Sequence, residues 1–249
     1  SSGDGYVYAA WMEVGRDTTA DGTYYVNKVL TKYSDDYGAP GSWSDVIEVD
    51  TAPDSSFGCC VDNIKVSISD DTAHFMWRYL DAVDFSSEIR YTQSSLGGSL
   101  DQYQVLDSDS LDATLTGNLL FAASLDTENS NVLVSWIERY VDAGFWSTAS
   151  TYLIVSEDTG NSFSEIKEVP HDTPNQGDTS DIWNLPTAVL DGENIHVLQV
   201  EYGSSYDLYF RTSPNLGERF DTVTDVLAES NIDGLDVYNP NMIFAIHTS

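Results

Sequence analysis

Four segments of this chain repeat one design, and that repetition restricts the fold more than any single residue does. "YVYAAWMEV" begins at Tyr6, "AHFMWRYL" at Ala73, "NVLVSWIERY" at Asn131 and "NIHVLQVEY" at Asn194. Aligned on Trp11, Trp77, Trp136 and Gln199, they lie 66, 59 and 63 residues apart. Periods of this length mark a stack of similar units rather than one irregular core. Each segment is followed by a second strand-like stretch: "TYYVNKVLTKYS", "SEIRYTQSS", "STYLIVSED" and "YDLYFRTSP". A third follows in turn: "WSDVIEVD", "DQYQVLD", "FSEIKEVP" and "FDTVTDVLA". A further apolar strand precedes the next unit: "NIKVSIS", "NLLFAASL", "LPTAVL" and, last, "PNMIFAI".

The link "LDGEN" joins "PTAV" to "IHVLQV", and its Asp191-Gly192 pair suits a tight hairpin turn. Those two strands therefore share a sheet, and the unit is a four-stranded antiparallel meander. Four such sheets at about 60-residue spacing predict an all-β fold, a β-propeller of four blades. No stretch with the period of a helix interrupts the pattern. The expected blades are 6–50 with 240–247, then 63–107, 118–170 and 184–229, in one domain of 1–249. The chain opens on the second strand of its first sheet and ends on an unpartnered inner strand. Pairing those two strands closes the ring and removes exposed edges. Membership of a larger propeller, or donation of the last strand to a neighbouring chain, are the rival arrangements.

Charge narrows the partners. The 249 residues carry 10 Lys+Arg against 41 Asp+Glu, a net charge of −31. Such a surface repels nucleic acid and anionic membranes, and both are excluded as partners. No apolar run reaches the ~18 residues of a membrane helix, and "SSGDG" reads as a processed or trimmed start. Many Asp residues fall in loops ("YSDDYG", "DSDSLD", "NIDGLD"). They suit a solvated surface in salty or extracellular surroundings, or the oxygen ligands of a hard cation such as calcium. No EF-hand-like loop occurs, so Ca2+ stands without a motif and no cofactor is assigned. The two cysteines, Cys59 and Cys60, are adjacent. Either a strained vicinal disulfide stiffens that loop or two thiols stay reduced.

"SEDTGNSF" spans 156 to 163 and lies between the second and third of these stretches in its unit. Related turns are "SDDYGAPGSW" (34–43), "SSLGGSL" (94–100) and "SPNLGERF" (213–220). Each starts with Ser, carries Gly and ends on an apolar residue. This matches the Asp-box pattern, S-x-D-x-G-x-[ST]-[FW], complete in one turn and degenerate in the others. The chain resembles the sialidase-like, Asp-box repeat propellers over nearly its whole length. That resemblance implies a scaffold role for Ser156, Asp158, Gly160 and Phe163: a turn closed by side-chain hydrogen bonds, with Gly in a conformation other residues avoid.

Propellers bind ligands where inner strands begin, and two recurrences point to that mouth. Asn63, Asn118, Asn184 and Asn239 each precede an inner strand. They either make the turn into the strand or ring an opening with amides for a cation, water or sugar hydroxyls. Two residues beyond the aligned Trp or Gln stand Glu13, Tyr79, Glu138 and Glu201, sharing its strand face. The Trp residues themselves are expected to pack between sheets. Loop aromatics Phe57, Phe85, Phe145, Trp146, Trp183 and Tyr238 offer stacking surfaces for sugars or plugs beneath loops.

Catalytic sialidases, which this fold resembles, use three Arg to clamp the substrate carboxylate and carry an Arg-Ile-Pro motif on the first inner strand. This chain has no such motif, and Lys65 is the one cation on an inner strand. Arg16, Arg78 and Arg139 lie at strand ends or loops, while Arg90 and Arg211 sit in the stretch after the Trp strand. His74, His171, His196 and His247 show no metal-ligand spacing. No catalytic residue is assigned. The expectation is a non-catalytic extracellular or cell-surface module binding a glycan or an extracellular protein at the channel mouth. The alternatives are a degenerate glycoside hydrolase, in which Glu13, Glu138 and Glu201 converge, and a structural subunit self-assembling through the C-terminal strand.

Overall fold

A computed structural model describes residues 5–19, 22–52, 61–81, 84–142, 145–170, 186–202, 206–221 and 224–225. Every regular element among them is a strand. Two compact units divide the chain, Ser1–Asp112 and Ala113–Ser249, and each holds two antiparallel sheets. The expectation of four antiparallel sheets therefore holds.

In the first unit, β1 (Val7–Thr19), β2 (Gly22–Ser34) and β3 (Ile47–Thr51) form a three-stranded sheet in that order. Beside it, β4 (Val61–Ser69), β5 (Thr72–Asp81), β6 (Ser86–Ser95) and β7 (Gln104–Ser110) form a four-stranded one. Every neighbour in these sheets is the next strand in sequence, so each is a plain meander. The expected inner strand of the first sheet, 240–247, lies outside the described residues.

Alternation explains how the two sheets stack. Tyr8, Ala10 and Val29 project from one face of the first sheet onto Phe75, Trp77 and Tyr79 of β5, with Ile64, Val66 and Ile68 from β4. Successive residues of a strand point to opposite faces, so the apolar i, i+2 series of β4 all reach one layer. Strand β5 is buried on both faces from Ala73 to Tyr79. It accordingly reads as a nearly unbroken apolar run.

The second unit holds β8 (Gly117–Glu128), β9 (Asn131–Asp142), β10 (Phe145–Ser156) and β11 (Lys167–Glu168) as one sheet. Its other sheet is β12 (Thr187–Asp191), β13 (Asn194–Tyr202), β14 (Tyr206–Ser213) and β15 (Thr224–Asp225). Leu133, Leu153, Val155, Val169, Ala188, Leu190, Ile195 and Val197 close the core between them.

The two innermost strands of this unit meet through side chains instead of a backbone ladder. Ser124 Oγ accepts the N–H of Ala188 at 2.9 Å, Asp126 Oδ2 that of Leu190 at 2.8 Å, and Glu128 Oε2 that of Gly192. Alternate residues of β8 thus satisfy alternate N–H groups along the free edge of β12. A bare strand edge invites pairing with other chains, and this seam removes three of its donors.

Candidate functional site

Strand register sets the height of each candidate side chain within its own sheet. Two residues beyond the aligned Trp or Gln position, Glu13 pairs with Lys28, Tyr79 with Glu88, Glu138 with Ser150 and Glu201 with Asp207. Within its own sheet each of the four thus stands two residues past the aligned Trp or Gln. Their surroundings differ.

Glu13 is exposed. Its partner strand carries Lys28, whose Nζ donates to Glu48 at 2.6 Å. That hydrogen bond with Glu48 raises the Lys28 pKa and lowers that of Glu48. Glu138 is half-buried on β9, opposite Leu120 of the inner strand. Tyr79 is 9% exposed, and the Arg90 guanidinium sits 3.5 Å from its ring centroid. A ring face so covered is closed to a sugar, so Tyr79 supports Arg90.

Asn63 and Asn118 stand differently against the Trp of their own sheets. Asn118 stands opposite Tyr140, four residues past Trp136 on β9. Asn63 sits in a bulge between Asp62, opposite Arg78, and Lys65, opposite Met76, which puts it beside Trp77. At ~3.3 Å per residue the two heights differ by about 13 Å, each measured against the Trp of its own sheet. Asn63 has φ of 54° and its Nδ2 donates to Asp62 Oδ1 at 3.1 Å. Asn tolerates this left-handed conformation better than most residues, which accounts for its place in the bulge. Asn184, Asn239 and Trp183 lie outside the described residues, and for Trp146 the register gives a backbone pairing with Val141.

The arginines of the first unit with described side chains are committed to the protein's own carboxylates. Arg78 Nε donates to Asp62 Oδ1 at 2.7 Å, and its Nη2 pairs with Asp62 Oδ2, a two-pronged ion pair. Arg90 donates Nη1 to Asp50 Oδ2 at 2.8 Å and Nε to Glu88 Oε2 at 2.7 Å. The same Asp50 oxygen accepts Trp77 Nε1 at 2.9 Å. Burial tends to lower the Arg90 pKa, but the hydrogen bonds to Glu88 and Asp50 outweigh it and raise the value. Tyr103 covers the other side of this cluster, 4.5 Å from the guanidinium.

Sequence reasoning missed that cluster. A buried indole N–H needs an acceptor, but the sequence does not say which acid supplies it; here it is the Asp50 that ends "WSDVIEVD". Burial lowers the pKa of Lys65. Buried His74 receives or donates at both ring nitrogens, to Ser69 Oγ at 3.2 Å and Tyr91 Oη at 2.6 Å. Burial drops its pKa to about 4, which leaves the ring neutral at pH 7. His196 stacks on Phe210 and contacts Thr212 Oγ1 at 3.1 Å.

At the opposite strand ends lie the serine-led turns. Asp158 Oδ1 accepts the Ser162 N–H at 2.8 Å and its Oδ2 the Ser162 hydroxyl at 2.6 Å, while Ser156 Oγ accepts the Gly160 N–H at 2.8 Å. These bonds stay within the turn, and those from Ser162 and Ser156 pull the Asp158 pKa down to about 2. Ser213, Asn215 and Gly217 repeat the arrangement, with Asn215 in the acid's place. Phe163 is partly buried. Among the described residues no group of three or more His, Cys, Asp or Glu comes together as a metal site. Cys59 and Cys60 lie outside the described residues.

No protein-family model matches the chain, and no curated protein matches it. Solved structures are similar to it at low identity. One is the alpha-L-arabinanase of Penicillium chrysogenum, with a TM-score of 0.48, 14% identity and cover of 84% of this chain and 65% of that one. Another is an alpha-L-arabinofuranosidase from Fusarium graminearum, with a TM-score of 0.45, 11% identity and cover of 86% and 66%. A third is a sialidase of Trypanosoma rangeli, with a TM-score of 0.47, 13% identity and cover of 91% and 43%. The chain spans less than two thirds of the length of each.

Proposed function

We propose that the chain is a non-catalytic binding module of the extracellular space or cell surface, built as a β-propeller that takes a neutral glycan at the ends where inner strands begin. In this reading the four sheets are blades and the segment 240–247 completes the first of them. The observation that carries it is the state of Arg78 and Arg90, both held by Asp62, Asp50 and Glu88. An anionic sugar would have to break those pairs, in a chain whose net charge is −31. Glu13 and Glu138, each two residues past the Trp of its own strand, are the acids this reading assigns to sugar hydroxyls. Fold alone never decides function for such architectures.

A degenerate glycoside hydrolase is the second reading, favoured by the same carboxylates. The two separate on one experiment. A Glu138→Gln, Asn118→Ala variant is compared with the parent for binding and for release of shortened sugars from neutral oligosaccharides. The binding reading expects intact sugars throughout and weaker binding in the variant. Shortened products from the parent, absent from the variant, would establish hydrolysis instead.

A further inference from the structure

The first serine-led turn differs from its relatives in what it leaves uncovered. In the turn at Ser156 the apolar closing residue follows seven positions later, at Phe163, and likewise Phe220 follows Ser213. From Ser34 the interval is nine, to Trp43. The loop is thus two residues longer, and it holds Pro40 and Gly41. Trp43 is then 37% exposed, where Phe163 and Phe220 stay partly buried.

A second aromatic joins it. Tyr37, Thr159 and Leu216 occupy equivalent places, all with positive φ and each followed by a Gly with positive φ. Each donates its N–H back to the hairpin before the Trp strand, to Gly5, Ser130 and Glu193 respectively. The backbone geometry is thus common to three turns. Only this one fills the place with an aromatic ring, and Tyr37 is 75% exposed.

Each ring lies against a bare glycine. A Cβ on Gly38 would lie 3.6 Å from Trp43 Cζ2, and one on Gly5 would lie 3.2 Å from Tyr37 Cε2. Absent side chains at Gly5 and Gly38 therefore let Tyr37 and Trp43 approach the turn's backbone closely while both stay exposed. Asp35 and Asp36 are exposed beside them, and Tyr6 and Tyr33 pack at 6.0 Å just behind. Rigid amphipathic rings beside hydrogen-bond acceptors match the apolar C–H faces and donor hydroxyls of a sugar.

From this geometry we infer that Tyr37 and Trp43 form a saccharide-binding platform, specific for neutral oligosaccharides, on the strand ends opposite those of the proposed function. The acidic surroundings turn away anionic sugars. The platform does not depend on the other face, and the test reads the two apart.

The full chain is titrated with neutral β-1,4-glucan, β-1,3-glucan and β-1,4-mannan oligosaccharides, followed by tryptophan fluorescence and calorimetry. Tyr37→Ala and Trp43→Ala are expected to weaken binding by about tenfold or more. Ile166→Ala, at an exposed apolar residue of the second unit, should bind this platform's ligand as the parent does. Tyr37 is so exposed that its truncation leaves folding intact, checked by circular dichroism, should Trp43→Ala prove unstable. Undiminished binding in both variants overturns the platform, as does failure of every neutral oligosaccharide to bind. It also falls if these variants lose only an oligolysine peptide whose binding disappears at about 1 M salt. Loss in Glu138→Gln with retention in Tyr37→Ala would speak for the other face and against this one.

Discussion

The phenol oxygen of Tyr8 accepts the backbone N–H of Gly97 at 2.9 Å, a bond between two different sheets of the first unit. In the other three turns the corresponding glycine donates to a serine of its own turn: Gly38 to Ser34, Gly160 to Ser156 and Gly217 to Ser213. The turn after Ser94 is one residue shorter and lacks the acid position. Tyr8 replaces the local acceptor with one from the adjoining sheet, and Tyr33 Oη donates to the Gly97 carbonyl at 3.2 Å. Tyr8→Phe keeps the ring contacts with Tyr33 and Phe75 but orphans a part-buried N–H. It should lower unfolding free energy by about 1–2 kcal/mol in urea. Tyr33→Phe, which removes a donor from an acceptor, should cost less.

Asp50 holds two donors at once, the Trp77 indole and the Arg90 guanidinium. Asp50→Ala leaves a buried cation short of its partner and a buried N–H without an acceptor. The expected loss is about 3–5 kcal/mol, read as a lower urea midpoint with an unchanged slope. Asp50→Asn should cost less, because its amide oxygen can still accept one bond.

Asp126 separates acceptor from charge. Burial raises its pKa, while the Leu190 N–H bond opposes that rise. At neutral pH the folded protein therefore bears the cost of a half-buried carboxylate that the unfolded chain does not. Asp126→Asn retains an acceptor for Leu190 and should be as stable as the parent or more so. Asp126→Ala should lose about 1–3 kcal/mol through the orphaned N–H. A clear loss in the Asn variant would mean that the charge itself holds the seam.

Two acid transitions should separate on the pH axis. Folded His74 titrates near 4 against an ordinary 6.5, so between those values the unfolded chain binds a proton that the folded one refuses. Stability is then complete above pH 6.5 and falls as pH drops toward 4, by up to about 1.4 kcal/mol per pH unit. His74→Gln should flatten that slope. Asp158, lowered to about 2, contributes stability present above its ordinary 3.8 and lost as pH falls through about 2. Asp158→Asn should remove only this lower component, as followed by urea unfolding at fixed pH values.

Much of the architecture was legible in the sequence, because repetition and alternation are backbone-scale signals. Four copies of the Trp-strand pattern located the sheets, and "LDGEN" marked a hairpin that pairs Asp191 with Asn194. The serine-led turns were legible for the same reason, since their bonds are local. Long-range partners were not. Nothing near Trp77 in sequence announces Asp50, 27 residues away, nor does "NLLFAASLDTE" announce that its Ser, Asp and Glu line the edge of β12. The asparagine recurrence does not give equal heights at Asn63 and Asn118, because Asn118 stands farther from its hairpin at Glu128 than Asn63 does from Ser69, while a one-residue bulge is common to both strands. Nor does the sequence announce that the ring face of Tyr79 goes to Arg90.

The most direct measurement is a glycan array of the intact chain, neutral and sialylated sugars together, with calcium and with a chelator, followed by mass analysis of the recovered sugars. The account predicts selective retention of neutral glycans, recovered uncut, with sialylated ones left unbound; loss with chelator would add a cation to the site. Cleaved sugars, or preferential retention of sialylated ones, would contradict it.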